Sequence, residues 1–289
     1  MKTVGIIGGS GLYELDGLSD VRQEDMVTPF GAPSSPITIG YIDGIQLLFI
    51  ARHGEGHKWI PSEINYRANI YALKKLGAQW CISISAVGSL REECAPGDIV
   101  VPDQVIDNTR NREGSFFSKG ICAHVSFGTP FCPVLREALV KEVRRVAENE
   151  SRQVHDGGTY VCIEGPAFSS RAESQLYRSW GCSIIGMTNL PEAKLAREAE
   201  IAYATLAFVT DYDCWRSANE EVDVATILEL LQRNATSSRK IIRRMVAALS
   251  KLEPSSLARD ALSAAILTSP GAIDERTKRE LSPIIGRYI

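Results

Sequence analysis

Short apolar runs alternate with amphipathic segments along most of the chain. Residues 3–7 form a β-branched run that stops at Gly8, and residues 45–51 form another that follows an Asp43-Gly44 turn. Apolar runs of this length, bounded by glycine, predict buried strands that end in tight turns. The same reasoning predicts strands over residues 36–41, 81–87, 99–106, 158–163, 183–187 and 202–210.

The segments between these runs carry apolar residues at helical spacing. After the candidate N-cap Ser62, apolar side chains recur every three or four residues until Gly77, which predicts a helix. Similar patterns predict helices over residues 133–147, 170–180 and 192–200, and one long or two shorter helices over residues 222–252. Strands that alternate with helices indicate an α/β fold, with a central mixed β-sheet and helices on both faces.

The 289-residue chain shows no internal repeat and no low-complexity linker. We therefore expect a single domain over residues 1–289, which is long enough to bury a large core. The periodicity weakens after Pro254. Residues 255–289 are a C-terminal extension to which the sequence assigns no role.

Composition and charge exclude several classes of protein. With 32 Lys and Arg against 35 Asp and Glu, the net charge is −3, so the chain lacks the basic surface of a nucleic-acid-binding protein. No apolar run approaches the ~20 residues that cross a membrane, and no secretory signal is visible. Seven scattered cysteines without a Cys-x-x-Cys pair, beside four histidines, favour reduced thiols in a cytoplasmic protein without a metal site.

Polar and small residues follow or end three of the predicted strands. The strand over residues 3–7 runs into a glycine-rich turn around Ser10, and the strand over residues 45–51 is followed by Arg52 and His53. The strand over residues 81–87 contains Ser85 and Ala86. Glycine lets backbone N–H groups approach an anion closely, and the arginine fork matches phosphate oxygens. These three strand ends could converge on one small dianion such as phosphate. An ordinary turn, and a surface arginine beside a capping histidine, are the alternatives.

Two carboxyl groups, Asp211 and Asp213, follow the predicted strand over residues 202–210. Their i, i+2 spacing puts both on one side of an extended backbone. In a cleft, one carboxylate raises the pKa of the other, which makes it a candidate general acid; an Asx turn or a helix N-cap is the alternative. Met187 and Thr188 end another strand, where a thioether can pack on an apolar ligand and a hydroxyl can donate a hydrogen bond.

The order of these motifs resembles the trimeric purine nucleoside phosphorylase family, and within it the branch that acts on 5′-methylthioadenosine. The strings that carry the resemblance run in family order from residue 4 to about residue 230, and they are residues 6–12, 28–31, 51–54, 65–69, 86–92, 164–166, 168–174, 187–188 and 210–215. The resemblance implies reversible phosphorolysis, in which inorganic phosphate attacks C1′ of the ribose as the purine departs. It also implies that neither a metal nor an organic cofactor takes part.

The resemblance further implies a role for each matching residue. Asp211 would protonate or hydrogen-bond purine N7, and Asp213 would assist recognition of the 6-amino group. Met187 would lie under the ribose, with Phe168 and Ser169 flanking the base. Phosphate would be held by Ser10, Arg52, His53, Ser85, Ala86 and Thr188.

The resemblance also bears on the 5′ pocket and on assembly. Apolar residues would line the pocket for the 5′ group, with His57 near it. His124 matches a position that the family contributes from a neighbouring subunit, which implies a homotrimer with the active site near the subunit interface. The apolar lining would come from Val224, Ile227 and Leu228.

The choice of base depends on Asp211, because related 6-oxopurine phosphorylases have Asn at this position. Mispairing a buried polar group can cost roughly 10⁴-fold in discrimination. Some residues depart from the family. Ser10 and Ser85 replace a common Thr and keep its hydroxyl, whereas Ala167 replaces a common Arg. Differences from the animal members also occur at residues 189–190 and at Lys194. The alternatives are a nucleoside phosphorylase of broader or 6-oxopurine specificity, a nucleoside hydrolase and a non-catalytic nucleoside-binding protein.

Overall fold

One mixed β-sheet runs through the protein in the computed structural model, which describes residues 1–9, 11–216 and 224–289, apart from the side chains of residues 224–229 and 231. Eleven strands belong to this sheet within the described residues. They are β1 (Thr3–Gly8), β2 (Ser19–Glu24), β3 (Ile37–Ile42), β4 (Ile45–Ala51), β5 (Trp80–Ser89), β6 (Ile99–Val101), β7 (Gln104–Asn108), β8 (Val154–Asp156), β9 (Thr159–Ile163), β10 (Ile184–Gly186) and β11 (Ala202–Asp211).

The strand order places β1 and β5 at the centre of the sheet. The main path is β2-β3-β4-β1-β5-β10-β9-β7, while β11 pairs with β5 and β6, and β6 pairs with β8. β1 is parallel to β4 and β5, whereas β3 is antiparallel to β4 and β10 is antiparallel to β5. The sheet is therefore mixed, and β5 is in contact with three other strands.

Helices cover both faces of the sheet. α2 and α5 pack on each other and on β11, while α1 and α4 pack on each other, and α4 also contacts β5 and β11. Across the described ranges, no helix combines the length and the apolar character that crossing a bilayer requires. The α-helices are α1 (Tyr66–Lys75), α2 (Pro133–Glu150), α3 (Arg171–Ser179), α4 (Asn189–Glu198), α5 (Val224–Leu249), α6 (Ser256–Arg259), α7 (Glu275–Glu280) and α8 (Ser282–Ile285).

Alternation along the strands builds a core on each face. Ile6 and Leu47 belong to the core that includes α2 and α5, whereas Ile7 and Leu48 belong to the core that includes α1 and α4. Successive side chains of a strand point to opposite faces, so strands covered on both faces have continuous apolar sequences. The predicted α/β fold, with a mixed sheet and helices on both faces, is confirmed.

Several predicted elements differ from the structure in their bounds, and one predicted alternative is settled. The first helix begins at Tyr66 rather than Ser62, because the Asn65 side chain accepts a hydrogen bond from the Ala68 N–H and caps the helix there. The predicted strand over residues 99–106 is divided between β6, which pairs with β8 and β11, and β7, which pairs with β9. The region over residues 222–252 contains one long helix, α5.

The C-terminal residues 255–289 pack against the core that includes α1 and α4. Leu262 and Ile284 are buried there, and Tyr71 Oη in α1 donates to the Glu280 carbonyl at 2.7 Å. Ala123 and Ile266 form an isolated antiparallel bridge. Helices of four to six residues in this segment are too short to show a helical period, which explains the weak sequence pattern.

Candidate active site

The candidate site lies at an opening along one edge of β5. On this edge, β5 pairs with β1 as far as Ser83 and with β10 from Gly88 onward, while β11 occupies the other edge. Residues 84–87 therefore border an opening between β1 and β10, which we call the β5 opening. The predicted residues Ser85 and Ala86 lie along it.

Arg52 is anchored beside the β5 opening. Its backbone N–H donates to the Gly8 carbonyl at 2.9 Å, which joins the ends of β4 and β1. Its guanidinium is buried and donates to both carboxylate oxygens of Glu192, at 2.8 and 3.0 Å. It also donates to Ser83 Oγ at 2.7 Å and to the Ile84 carbonyl at 2.9 Å. Within the described part of the chain, one N–H of Nη1 is left for a ligand.

Glu192 is a counter-charge for Arg52 that the sequence did not identify. It is fully buried in α4 and also accepts a hydrogen bond from Tyr203 Oη at 2.8 Å. Burial alone would lower the pKa of Arg52, but the Glu192 carboxylate raises it above its usual value. The guanidinium therefore keeps its positive charge, and the negative charge of Glu192 balances most of it. A buried arginine needs a counterion. The signal in the sequence that could have identified Glu192 is an acidic residue at the start of an apolar helix.

His53 follows Arg52 and stacks on His57, with ring centroids 4.1 Å apart. Its Nδ1 lies 2.9 Å from the Trp59 carbonyl. Burial lowers the pKa of His53 to about 4, so the ring is neutral at pH 7. Because a carbonyl can only accept, Nδ1 carries the ring proton and Nε2 is left as an acceptor. Such an acceptor suits a protonated oxygen of phosphate.

Ser85 and Thr188 contact the same buried hydroxyl. Ser85 Oγ lies 3.2 Å from Tyr160 Oη, and the backbone of Thr188 hydrogen-bonds with that oxygen. Tyr160 lies in β9 and is fully buried. Two predicted phosphate ligands from different strand ends are thus joined by a side chain that the sequence analysis missed, because a tyrosine in an apolar strand resembles an ordinary core residue.

Arg112 is a second buried cation missing from the sequence-based predictions. Its side chain is 2% exposed and lies 3.6 Å from the Glu164 carboxylate. It donates to the carbonyls of Met187 and Leu190, each at 2.6 Å, and to the Glu164 carbonyl at 2.7 Å. The backbone carbonyls of the predicted ribose contact Met187, of Leu190 and of Glu164 are therefore tied to one guanidinium. An arginine in a polar loop gives no sequence signal of this role.

Asp211 ends β11 and lies against Gly88 of β5. A Cβ at Gly88 would stand 3.0 Å from Asp211 Oδ1 and 3.0 Å from the Ile185 side chain, so glycine permits this close approach. Asp211 Oδ1 accepts from the Asp213 N–H at 2.8 Å, and Oδ2 accepts from Thr210 Oγ at 2.7 Å. The carboxylate is therefore held beside Gly88, where β10 joins β5 at the end of the β5 opening.

Asp213 begins a short 3₁₀ turn, Asp213–Trp215. Burial raises the pKa of its carboxyl group, and the charge of Asp211 acts in the same direction. Within the described residues, its buried Oδ2 has no hydrogen-bond partner. An unmet buried oxygen costs free energy, so a ligand N–H that reaches it would be favoured.

Phe168 and Ser169 lie in the loop before α3. The Ser169 carbonyl accepts from Cys214 Sγ at 3.0 Å, which attaches this loop to the Asp213 turn. The Phe168 ring is 85% exposed. In the single chain the ring is open to solvent, and either a stacked base or a neighbouring chain would cover it.

Of the other predicted residues, His124 lies apart from the β5 opening, and four fall outside what the structure describes. His124 is exposed, its N–H donates to the Ala265 carbonyl at 2.9 Å, and its Nε2 lies 3.7 Å from Cys122 Sγ. None of the hydrogen bonds, ion pairs or ring contacts of the described residues links it to another predicted site residue. Ser10 lies outside the described residues, as do the side chains of Val224, Ile227 and Leu228.

Metal sites and disulfides are the other features that Cys and His side chains can form. Among the described residues, no three His, Cys, Asp or Glu side chains are grouped so that they could hold a metal ion. All seven cysteines are free thiols, and five of them are buried.

Comparison with known proteins gives concordant matches. The sequence profile described as the phosphorylase superfamily matches residues 3–247. The S-methyl-5′-thioadenosine phosphorylase of Geobacter sulfurreducens is 50% identical over 289 residues, which cover 100% of this chain and 99% of that protein. The enzyme of the same name from Synechocystis sp. is 52% identical over 285 residues, which cover 99% of this chain and 87% of that protein.

Solved structures agree with these matches. The crystal structure of a methylthioadenosine phosphorylase from an Antarctic soil metagenomic library has a TM-score of 0.94 at 46% identity, covering 98% of both chains. A variant of the Schistosoma mansoni adenosine/methylthioadenosine phosphorylase, in complex with methylthioadenosine, has a TM-score of 0.79 at 36% identity, covering 88% of this chain and 93% of that one. The chain therefore belongs to the phosphorylase superfamily, in the family of the S-methyl-5′-thioadenosine phosphorylases.

Proposed function

We propose that the protein catalyses reversible phosphorolysis of S-methyl-5′-thioadenosine to adenine and 5-methylthioribose 1-phosphate. The observation that carries this proposal is the β5 opening, with Ser85 along it, Arg52 beside it and Asp211 against Gly88, where β10 joins β5. The opening occurs in a chain that is 50% identical, along its whole length, to a relative of that name.

Phosphate would bind in the opening between β1 and β10. Ser85 Oγ is a neutral donor, Arg52 has one charged N–H left, and Nε2 of neutral His53 would accept from the protonated oxygen of monohydrogen phosphate. Because Glu192 neutralises Arg52, the site would hold the dianion mainly through hydrogen bonds. The proposed phosphate ligands are Ser10, Arg52, His53, Ser85, Ala86 and Thr188.

In the reaction, a phosphate oxygen would form a bond to C1′ of the ribose as the bond between C1′ and purine N9 breaks. The electron pair of that bond moves to the purine. The proton that neutralises the purine comes from monohydrogen phosphate, whose ester product is the dianion. Asp211 would pass this proton to N7 or hydrogen-bond the protonated N7, so that adenine leaves as a neutral base. Asp213, whose Oδ2 has no hydrogen-bond partner among the described residues, would accept from the 6-amino group.

The remaining contacts of the nucleoside would come from both sides of the site. Met187 would lie under the ribose, with Phe168 and Ser169 flanking the base and His57 near the 5′ group. His124, which is exposed, would reach the site of a neighbouring subunit in a homotrimer. The apolar pocket for the methylthio group would be formed by Val224, Ile227 and Leu228.

The proposed enzyme is cytoplasmic and uses phosphate as a co-substrate, with neither a metal nor an organic cofactor. Its free cysteine thiols are compatible with a reducing compartment. The chemistry needs no further group, because a nucleophile, a leaving base and a proton donor are all present in the proposed complex.

Phosphate labelled with oxygen-18 tests the reaction. Incubation with S-methyl-5′-thioadenosine should yield adenine and a methylthioribose phosphate in which mass spectrometry finds all the oxygens of the labelled phosphate. Free methylthioribose without phosphate would instead identify a hydrolase. Binding of the nucleoside without any product would identify a non-catalytic binding protein.

A further inference from the structure

Tyr160 occupies a fully buried position behind the β5 opening. Its hydroxyl lies 3.2 Å from Ser85 Oγ and also hydrogen-bonds with the backbone of Thr188. Ser85 comes from β5 and Thr188 from the junction between β10 and α4. One phenol oxygen thus connects two of the elements that border the opening.

The neighbouring backbone is shaped around this hydroxyl. A Cβ built at Gly186 of β10 would stand only 1.9 Å from Tyr160 Oη, so any larger residue would displace the phenol. Gly186 has no positive φ that would by itself require glycine. The glycine is therefore explained by the space that the Tyr160 hydroxyl takes.

The polarity of these hydrogen bonds can be assigned from their chemistry. Burial raises the pKa of Tyr160, so the phenol keeps its proton, and a buried O–H needs an acceptor. Among the hydrogen bonds of the described residues, the acceptor within reach of Tyr160 Oη is Ser85 Oγ at 3.2 Å, and Ser85 Oγ itself donates to the Ala86 carbonyl. With the Ser85 proton directed to that carbonyl, the phenol proton is donated to Ser85 Oγ.

This polarity fixes the direction of the Ser85 hydroxyl. Once Ser85 Oγ accepts from Tyr160, its own proton must be donated elsewhere. Its present acceptor is the Ala86 carbonyl at 3.4 Å, which is long for an O–H···O bond and can be replaced by a better acceptor in the β5 opening.

We propose that Tyr160 is a positioning residue that sets Ser85 Oγ as a hydrogen-bond donor toward phosphate, through the relay Tyr160 O–H to Ser85 O–H. The inference rests on the proposed function, since it assigns phosphate to the β5 opening. It adds a residue that does not touch phosphate but controls one that does.

Tyr160→Phe tests the relay, because it removes one oxygen and keeps the ring. We expect KM for phosphate and the calorimetric Kd of phosphate to rise about tenfold, the effect of losing one oriented hydrogen bond. KM for the nucleoside should stay within about twofold, since the base contacts are untouched. Tyr71→Phe is the matched control, because Tyr71 Oη donates to the Glu280 carbonyl in the C-terminal segment; it should leave every constant unchanged.

A double-mutant cycle separates positioning from general damage to the core. In a Ser85→Ala background, Tyr160→Phe should have no further effect on phosphate affinity, because the hydroxyl that it directs is gone. An equal tenfold loss in that background would overturn the inference, as would a Tyr160→Phe protein with the wild-type KM and Kd for phosphate. Thermal unfolding of each variant checks that the fold is intact.

The wild-type protein tests the proposed function separately. If it binds phosphate and cleaves the nucleoside only with phosphate, the proposed function holds and the variants decide the role of Tyr160. If it neither binds nor needs phosphate, the proposed function fails and the relay has no ligand.

Discussion

Glu192 pairs with the Nε–Nη2 edge of the Arg52 guanidinium, with Oε2 at 2.8 Å from Nε and Oε1 at 3.0 Å from Nη2. The two side chains are 3% and 0% exposed. A bidentate pair fixes the plane of an arginine, so Glu192 decides where the one remaining N–H of Arg52 points. The pair connects the end of β4 with α4 beneath the β5 opening.

Glu192→Gln should destabilise the protein by about 3–5 kcal/mol, because it leaves the buried Arg52 charge without its counter-charge. Urea unfolding measures this loss. Glu14→Gln is the control, since Glu14 forms an exposed ion pair with Arg239 and should cost no more than about 1 kcal/mol. Equal effects of the two substitutions would contradict the role of Glu192.

Asp211→Asn should shift the preference from adenine nucleosides toward inosine. The two carboxylate oxygens of Asp211 accept hydrogen bonds from Asp213 and Thr210. Asparagine has only one such oxygen, because its amide nitrogen cannot accept a hydrogen bond. We expect the ratio of kcat/KM for methylthioadenosine to kcat/KM for inosine to fall by about tenfold or more. Asp43→Asn, at an exposed ion pair with Arg243, is the control. A variant that keeps the wild-type ratio would remove the proposed role of Asp211.

Arg112→Met should lower both stability and activity. Its loss leaves the carbonyls of Met187, Leu190 and Glu164 without their donor, and unmet buried carbonyls cost about 1–3 kcal/mol each. We expect a loss of about 3 kcal/mol in unfolding free energy and a fall in kcat/KM of about tenfold or more. Arg243→Met on the surface should change neither quantity appreciably. Full activity in Arg112→Met would show that Met187 needs no such support.

Glu198 should make stability depend on pH. Its carboxylate accepts from Ser115 Oγ at 2.8 Å and the Phe116 N–H at 2.7 Å. Burial nevertheless raises its pKa from 4.5 to about 7. The folded protein then holds a proton that the unfolded chain releases, so this contribution to stability is present below pH 4.5 and is lost as the pH rises to about 7.

Glu198→Gln removes this titration. The melting temperature of the variant, relative to that of the wild type, should rise between pH 5 and pH 8. The exposed residue Glu148 provides the control, because Glu148→Gln should show no such trend. A constant difference between Glu198→Gln and the wild type over this range would contradict the prediction.

The proposed trimer gives a prediction about His124. Analytical ultracentrifugation should find three chains per particle, and His124→Ala should raise KM for the nucleoside without changing kcat by more than about twofold. Because His124 is exposed in the single chain, the substitution should leave thermal stability unchanged. A fully active monomer would contradict this part of the proposed function.

Local sequence patterns predicted most of the strands and where they end. The apolar run over residues 45–51 corresponds to β4, which Arg52 follows directly. β2 was missed because it is an edge strand whose side chains are almost all exposed, so it lacks the alternation that marks a half-buried strand. A pattern of apolar residues indicates which side chains are buried, but it does not indicate which strands pair with each other.

The supporting residues of the site could not be predicted in the same way. Arg52 and Glu192 are 140 positions apart, and Ser85 and Tyr160 are 75 apart. Each residue is ordinary in its own segment, and its importance comes from the partner that the fold brings to it. Polar pairing in a core is a property of tertiary structure, which a one-dimensional pattern does not encode.

Cleavage of a purine nucleoside by phosphate is the reaction that we propose for this protein. The decisive measurement is adenine release from S-methyl-5′-thioadenosine with and without inorganic phosphate, beside adenosine and inosine. We expect release only when phosphate is present, with S-methyl-5′-thioadenosine as the fastest substrate. Release at the same rate without phosphate would contradict it, and faster cleavage of inosine would contradict the role assigned to Asp211.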